Sequence, residues 1–244
     1  MHGQKSSNLW KIITERNPHR SLGDLQYYFN YVFQNVPLKD RVVLEIGCGS
    51  GIMAAYIAHK GAEFVLGLEP EAGGSIPGHL NLSREIPEAL ALNPGRIQIL
   101  PATIQAYDPQ GVKFDVVLMH NSINHLDEKA STNLHVSQEA RKIYLHIFDK
   151  ISGLLNDGGT LLILDCSRYN FWPSLGLRNP FCPEIQWGKH QPPEVWIYLL
   201  RRCGLRRPKI QWTSFKTIRG LGKPLRNRFA AYFFTSHFRL EMNK

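Results

Sequence analysis

No run of about 18 or more apolar residues occurs, so no segment has the length a membrane-spanning helix needs. The opening stretch MHGQKSSNLWKIITERNPHR lacks the apolar centre of a secretory leader, and a cytoplasmic location is expected. Cysteine is sparse: Cys48, Cys166, Cys182 and Cys203 are scattered without close pairs, which disfavours paired-cysteine zinc ligands and a disulfide framework. Acidic residues become scarce only toward the end. Residues 168–244 hold 15 Lys and Arg against 3 Asp and Glu, whereas residues 1–167 hold 14 against 17. Such a basic C-terminal third suits a phosphate-bearing substrate or peripheral contact with an anionic membrane, and nucleic acid less readily; a solvated basic face is the plain alternative.

What the chain has is one core's worth of residues, 244 in all, with apolar strands alternating with helices. Leu22, Leu25, Tyr28, Phe29, Val32 and Phe33 fall near helical spacing, so 1–40 reads as a helical region ahead of a domain at 41–244. Short β-branched or apolar runs predict strands at Val42–Ile46, Phe64–Leu68, Arg96–Leu100, Phe114–Met119 and Thr160–Leu164. Helices are expected at Ile52–Lys60, near Ser83–Leu92, from about Asn133 to Leu155, and at Pro193–Cys203. Two last strands are expected at Lys209–Phe215 and Phe229–Phe238, joined by a basic loop containing Arg219, Lys223, Arg226 and Arg228. This alternation is that of an α/β fold: an open, mostly parallel sheet covered by helices on both faces.

The chemistry sits first in VVLEIGCGSG, Val42–Gly51. Glycines let the backbone turn sharply from the strand end and approach a ligand, and the next helix presents free N–H groups. Such a turn suits NAD, FAD or S-adenosylmethionine. The spacing Gly-x-Gly-x-Gly and the internal acid Glu45 favour the last, because a carboxylate beside a dinucleotide pyrophosphate would repel it. Cys48 reads as a small packing residue within the turn.

Val42–Gly51 resembles motif I of class I S-adenosylmethionine-dependent methyltransferases. The resemblance extends over most of the chain: FDVVLMHNSINHLDE is similar to the family's fourth strand and following loop, and LLNDGGTLLILD to its Gly-Gly turn and fifth strand. It implies a seven-stranded, mostly parallel Rossmann-like sheet with an antiparallel last strand. It implies a cofactor site of Glu45, Ile46, Gly47, Cys48, Gly49, Gly51, Glu69, Pro70, Thr103, Ile104 and His120. Glu69, ending VLGLE, stands where the family places the carboxylate that takes both ribose hydroxyls, a bidentate role that suits a carboxylate. The sequence departs from the common pattern at Thr103, where many members carry Asp for the adenine amino group; backbone groups near Thr103 and Ile104 are expected to serve instead.

Methyl transfer to oxygen needs positioning and removal of the hydroxyl proton. His120 and His125 follow the fourth strand, near the sheet edge where open α/β folds bind ligands. His125 is the expected general base with Asp127 orienting it, and His120 is the second catalytic candidate. HNSIN replaces the Asn/Asp-Pro-Pro-Tyr/Phe sequence that grips planar amino groups in related enzymes, which favours a small-molecule or glycan hydroxyl as acceptor. The spacing of His120, His125, Asp127 and Asp165 does not compel a metal, and none is expected. Residues 166–192 read as an aromatic and basic insertion over the site, with Trp172, Arg178, Trp187 and His190 as substrate candidates. An RNA methyltransferase and a non-catalytic S-adenosylmethionine-binding protein are the competing readings.

Overall fold

The computed structural model describes residues 2–71, 78, 80–81, 85–86, 92–213, 222 and 224–244. Its strands are β1 (Val42–Ile46), β2 (Phe64–Leu68), β3 (Ile97–Leu100), β4 (Phe114–His120), β5 (Leu155–Cys166), β6 (Arg206–Trp212) and β7 (His237–Asn243). They form one sheet in the order β3-β2-β1-β4-β5-β7-β6. The contacts divide the chain into two compact units, Met1–Leu118 and Met119–Lys244.

In the first unit β1 and β2 pair in parallel, Val42 opposite Phe64 through Ile46 opposite Leu68, and β2 pairs in parallel with β3. Val43, Leu44, Val65 and Leu68 are fully or almost fully buried, as expected of apolar strands covered on both faces. Helix α1 (His2–Glu15) precedes α2 (Leu22–Val32), which opens where the Ser21 hydroxyl accepts the Asp24 amide. Both pack on α3 (Ile52–His59) through an aromatic cluster. Tyr56 of α3 meets Phe29 edge-on at 4.7 Å and stacks with Phe33 at 5.5 Å, while Trp10 meets Phe29 at 5.5 Å. The helix expected at Ser83–Leu92 lies largely outside the described residues.

In the second unit β5 and β7 run antiparallel, as do β6 and β7. Helices α4 (Glu128–Asn133), α5 (Gln138–Leu154), α6 (Phe171–Ser174), α7 (Pro193–Arg202) and α8 (Arg228–Phe233) complete it. Tyr144 and Phe148 of α5 close on Trp196 of α7 at 5.2 and 5.9 Å, forming the aromatic centre of this core. Arg239, 1 % exposed, is tied to Glu241 at 3.0 Å, and Lys209 reaches the same carboxylate at 2.8 Å, so the buried guanidinium is compensated.

Three boundaries correct the sequence reading. Strand β5 starts at Leu155 and runs through the Asn-Asp-Gly-Gly stretch, with Gly158 in the left-handed region at φ 77°. The segment from Arg228 is a helix, because Asn227 accepts the Ala230 amide as its cap and Ala230 and Ala231 turn inward; the last strand begins only at His237. Strand β6 is Arg206–Trp212, so it begins before the expected Lys209 and stops before Thr213, while residues 214–215 of the expected strand lie outside the described residues. Among the basic loop residues, Arg219 and Lys223 lie outside the described residues. No described helix is long and apolar enough to cross a membrane.

Candidate active site

The glycine turn after β1 is built as its spacing requires. Gly47, Gly49 and Gly51 have φ of 72°, 52° and 74°, a region that side chains with a Cβ rarely enter. The Gly47 and Cys48 amides donate to the Leu68 carbonyl at 2.8 and 3.0 Å, pinning the turn to the end of β2. Glu69, the next residue, accepts the Gly49 amide on Oε2 at 2.7 Å and the Glu71 amide on Oε1 at 3.3 Å. Ile46 and Ile104 are buried, and Pro70 is half-buried beside Glu69. Cys48 is buried and its thiol is pushed up by that burial and by the nearby Glu45 and Glu69, which fits a packing residue and not a nucleophile. Cys48 fills space left by Gly67 of β2: a Cβ there would meet Ile99 Cδ1 at 2.5 Å and Cys48 Sγ at 2.8 Å.

Glu45 is 2 % exposed, and its Oε2 has no hydrogen-bond partner. Burial holds its carboxyl well above the usual range, opposed by a hydrogen bond from the Ala54 amide and reinforced by Glu69. An unsatisfied buried carboxyl oxygen beside a glycine turn is suited to a ligand carrying cationic hydrogen-bond donors. S-adenosylmethionine carries such a donor in its ammonium; a pyrophosphate, which offers acceptors only, does not. Thr103 lies half-buried, and its hydroxyl is committed to a turn, accepting the Ala106 amide at 3.1 Å.

The second unit carries the histidines. His120, half-buried, ends β4, and the turn after it is fixed by Asn121, at φ 55°, whose amide donates to the Leu164 carbonyl at 2.8 Å. His125 Nδ1 lies 2.6 Å from Glu128 Oε1, while the Asn124 amide reaches His125 Nε2 at 3.4 Å. A carboxylate can only accept, so Nδ1 is the donor in this contact, and Nε2 is the nitrogen left to act as a base when the ring is neutral. The partner expected from sequence is corrected: Asp127 turns its carboxylate onto the Ala130 amide at 2.8 Å as the cap of α4, and Glu128 holds the histidine. Glu128 also receives Lys189 Nζ on Oε2 at 2.8 Å, and this lysine more than the histidine keeps its pKa low.

The four substrate candidates have different partners. Trp172 donates its indole N–H to the Phe233 carbonyl at 2.8 Å, and exposed Arg178 pairs with Glu184 at 3.2 Å. Trp187 is half-buried and opens the 3-10 turn Trp187–Lys189. His190, just after it, places Nδ1 2.8 Å from Asp165 Oδ1 at the end of β5. Sequence reasoning missed the buried amides that hold this segment. Asn179 donates to Asn170 Oδ1 at 2.9 Å, and Gln191 donates to the Ser131 carbonyl at 2.7 Å. Isolated amides in a stretch without periodicity gave no signal of this.

With the turn, its two carboxylates and the sheet order in place, the comparisons with known proteins agree. A family model described as a methyltransferase domain matches residues 19–207. The chain belongs to the class I S-adenosylmethionine-dependent methyltransferases. This methyltransferase is 33 % identical over 103 residues to a tRNA U34 carboxymethyltransferase of Mannheimia succiniciproducens, covering 42 % of the chain and 29 % of that protein. It is 30 % identical over 127 residues to a ubiquinone biosynthesis O-methyltransferase of Serratia proteamaculans, covering 52 % of the chain and 48 % of that protein. The matches therefore span less than half the length of these curated relatives. In fold, the methyltransferase resembles an S-adenosylmethionine-dependent methyltransferase of Mesorhizobium loti, with TM-score 0.57 at 13 % identity over 85 % of this chain and 93 % of that one.

Proposed function

We propose that the methyltransferase moves a methyl group from S-adenosylmethionine to a hydroxyl of a small molecule or sugar. The observation that carries this reading is the imidazole of His125, held on Nδ1 by Glu128 at 2.6 Å with Nε2 as its basic atom. An oxygen acceptor must lose its proton as it is methylated, and a carboxylate-oriented imidazole is the group that takes it near neutral pH. Bound at the glycine turn, S-adenosylmethionine supplies an electrophilic methyl on its sulfonium. Glu69 would hold the ribose hydroxyls, exchanging its Gly49 and Glu71 amides in part for them, and Glu45 would receive cationic donors. His120, at the end of β4, is assigned to the methionine part of the cofactor or to a second catalytic role.

An RNA acceptor is the second reading. The basic C-terminal third and the tRNA-modifying relative favour it. One experiment separates the two: the purified chain is incubated with labelled S-adenosylmethionine and, in parallel, with hydroxylated metabolites, sugars and RNA. Label in a hydroxyl compound that disappears in His125→Ala supports the first reading. Label in RNA with steeply salt-dependent binding replaces it with the second, and absence of label from every acceptor despite tight cofactor binding points to a binding protein.

A further inference from the structure

Of the residues weighed for a metal from spacing alone, the fold keeps Asp165 in its cluster and adds Cys166 and His190. Asp165 and Cys166 end β5, and His190 follows the turn Trp187–Lys189; a carboxylate oxygen, a thiol sulfur and an imidazole nitrogen from them lie within 4.8 Å of one another. Asp165 and Cys166 are 1 % and 2 % exposed. His190 is the more accessible of the three. One Asp165 oxygen is occupied by His190, but the other, Oδ2, is buried and has no hydrogen-bond partner. A buried carboxylate oxygen left unsatisfied is costly, and its natural complement is a cation.

We propose that Asp165, Cys166 and His190 form a binding site for one divalent cation of borderline softness, with Zn2+ the best match. Magnesium and calcium require six or more mainly oxygen ligands, whereas a thiolate, an imidazole and a carboxylate are the zinc set. Bonds of about 2.0–2.3 Å in a tetrahedron set donors roughly 3.3–3.8 Å apart, so the cluster needs only small shifts to close on an ion. Three protein ligands leave a fourth position for water or another oxygen ligand.

Loading is balanced as an exchange. The Cys166 S–H bond breaks, a sulfur–metal bond forms, and the thiol proton leaves to solvent. His190 stays neutral, its proton moving from Nδ1 to Nε2 as Nδ1 takes the ion. The histidine is delivered by a firmly held segment: the Ser131 hydroxyl donates to the Lys189 carbonyl at 3.0 Å, and Lys189 and Gln191 on either side of His190 are bonded to α4 at 2.8 and 2.7 Å.

The test is titration of the chelator-stripped full chain with Co2+, followed by displacement with Zn2+. The expected result is one equivalent of Co2+ giving a thiolate-to-cobalt charge-transfer band and intense tetrahedral visible bands, with a proton released on loading. Cys166→Ser should abolish the charge-transfer band, His190→Ala should weaken binding by about tenfold or more, and Cys203→Ser should change neither. Thermal unfolding of each variant checks that it is folded. Absence of the band in the wild type, or its persistence in Cys166→Ser, overturns the site and leaves a hydrogen-bonded His–Asp pair. No methyl acceptor enters the assay, so this failure would leave the proposed methyl transfer standing.

Discussion

Glu69 Oε2 accepts the amide of Gly49 at 2.7 Å, joining the end of β2 to the middle of the glycine turn 20 positions earlier. The same carboxylate therefore shapes the turn and, in the proposed reading, would offer its oxygens to the ribose hydroxyls. Glu69→Ala is expected to weaken S-adenosylmethionine binding by about tenfold to a hundredfold, the range of one or two charge-assisted hydrogen bonds. Calorimetric titration checks it, and an unchanged affinity removes Glu69 from the cofactor site.

Glu45 couples pH to stability. Because burial raises its folded-state pKa above the ordinary 4.5, the folded protein keeps a proton that the unfolded chain loses. Its contribution is thus greatest below that ordinary value and declines as pH rises toward the folded one. Glu45→Gln, neutral throughout, should make the ligand-free protein melt higher than the wild type at neutral pH, with the gap closing as the solution is acidified. The same variant should bind S-adenosylmethionine more weakly. Melting curves across pH that stay parallel for the two proteins would contradict this account.

Glu128 is where His125 and Lys189 converge, and Glu128→Gln is expected to lower the rate of methyl transfer about 10- to 100-fold. Lys189→Met, which leaves the His125 contact intact, should cost less. Lys189 first, and His125 after it, depress the Glu128 pKa, so its stabilising effect is present above the ordinary 4.5 and fades as pH falls through the lower folded value. Acid melting of the two variants and the wild type reads this directly.

Gly67 tests the packing behind the turn. An added Cβ meets Ile99 Cδ1 at 2.5 Å and Cys48 Sγ at 2.8 Å. Gly67→Ala should destabilise by about 1–3 kcal/mol, seen as a lower Tm, and should disturb cofactor binding through Cys48. A Tm equal to that of the wild type would mean both neighbours give way freely.

Several elements were legible because their signals are local. Val42–Ile46 and Phe64–Leu68 were bounded correctly since an apolar run meets a turn at each end. Phe229–Phe238 was misread because its aromatic residues suit a strand equally well, and the Asn227 cap that makes a helix of its first half is a weak signal beside them. Asp127 and Glu128 are neighbouring acids near the same histidine. Only the start of α4 decides that the first caps the helix and the second, three positions from His125, faces the imidazole.

The sequence by itself determined the strand order's raw material, the three left-handed glycines of the turn and the carboxylates that flank it, because each follows from residues adjacent in the chain. Tertiary structure decided what those residues do to one another. It left Glu45 Oε2 and Asp165 Oδ2 buried without partners, gave His125 to Glu128, and brought His190 to Asp165 across 25 positions. Burial and long-range pairing set the charge and hydrogen-bonding state of a side chain, and neither is encoded in local spacing.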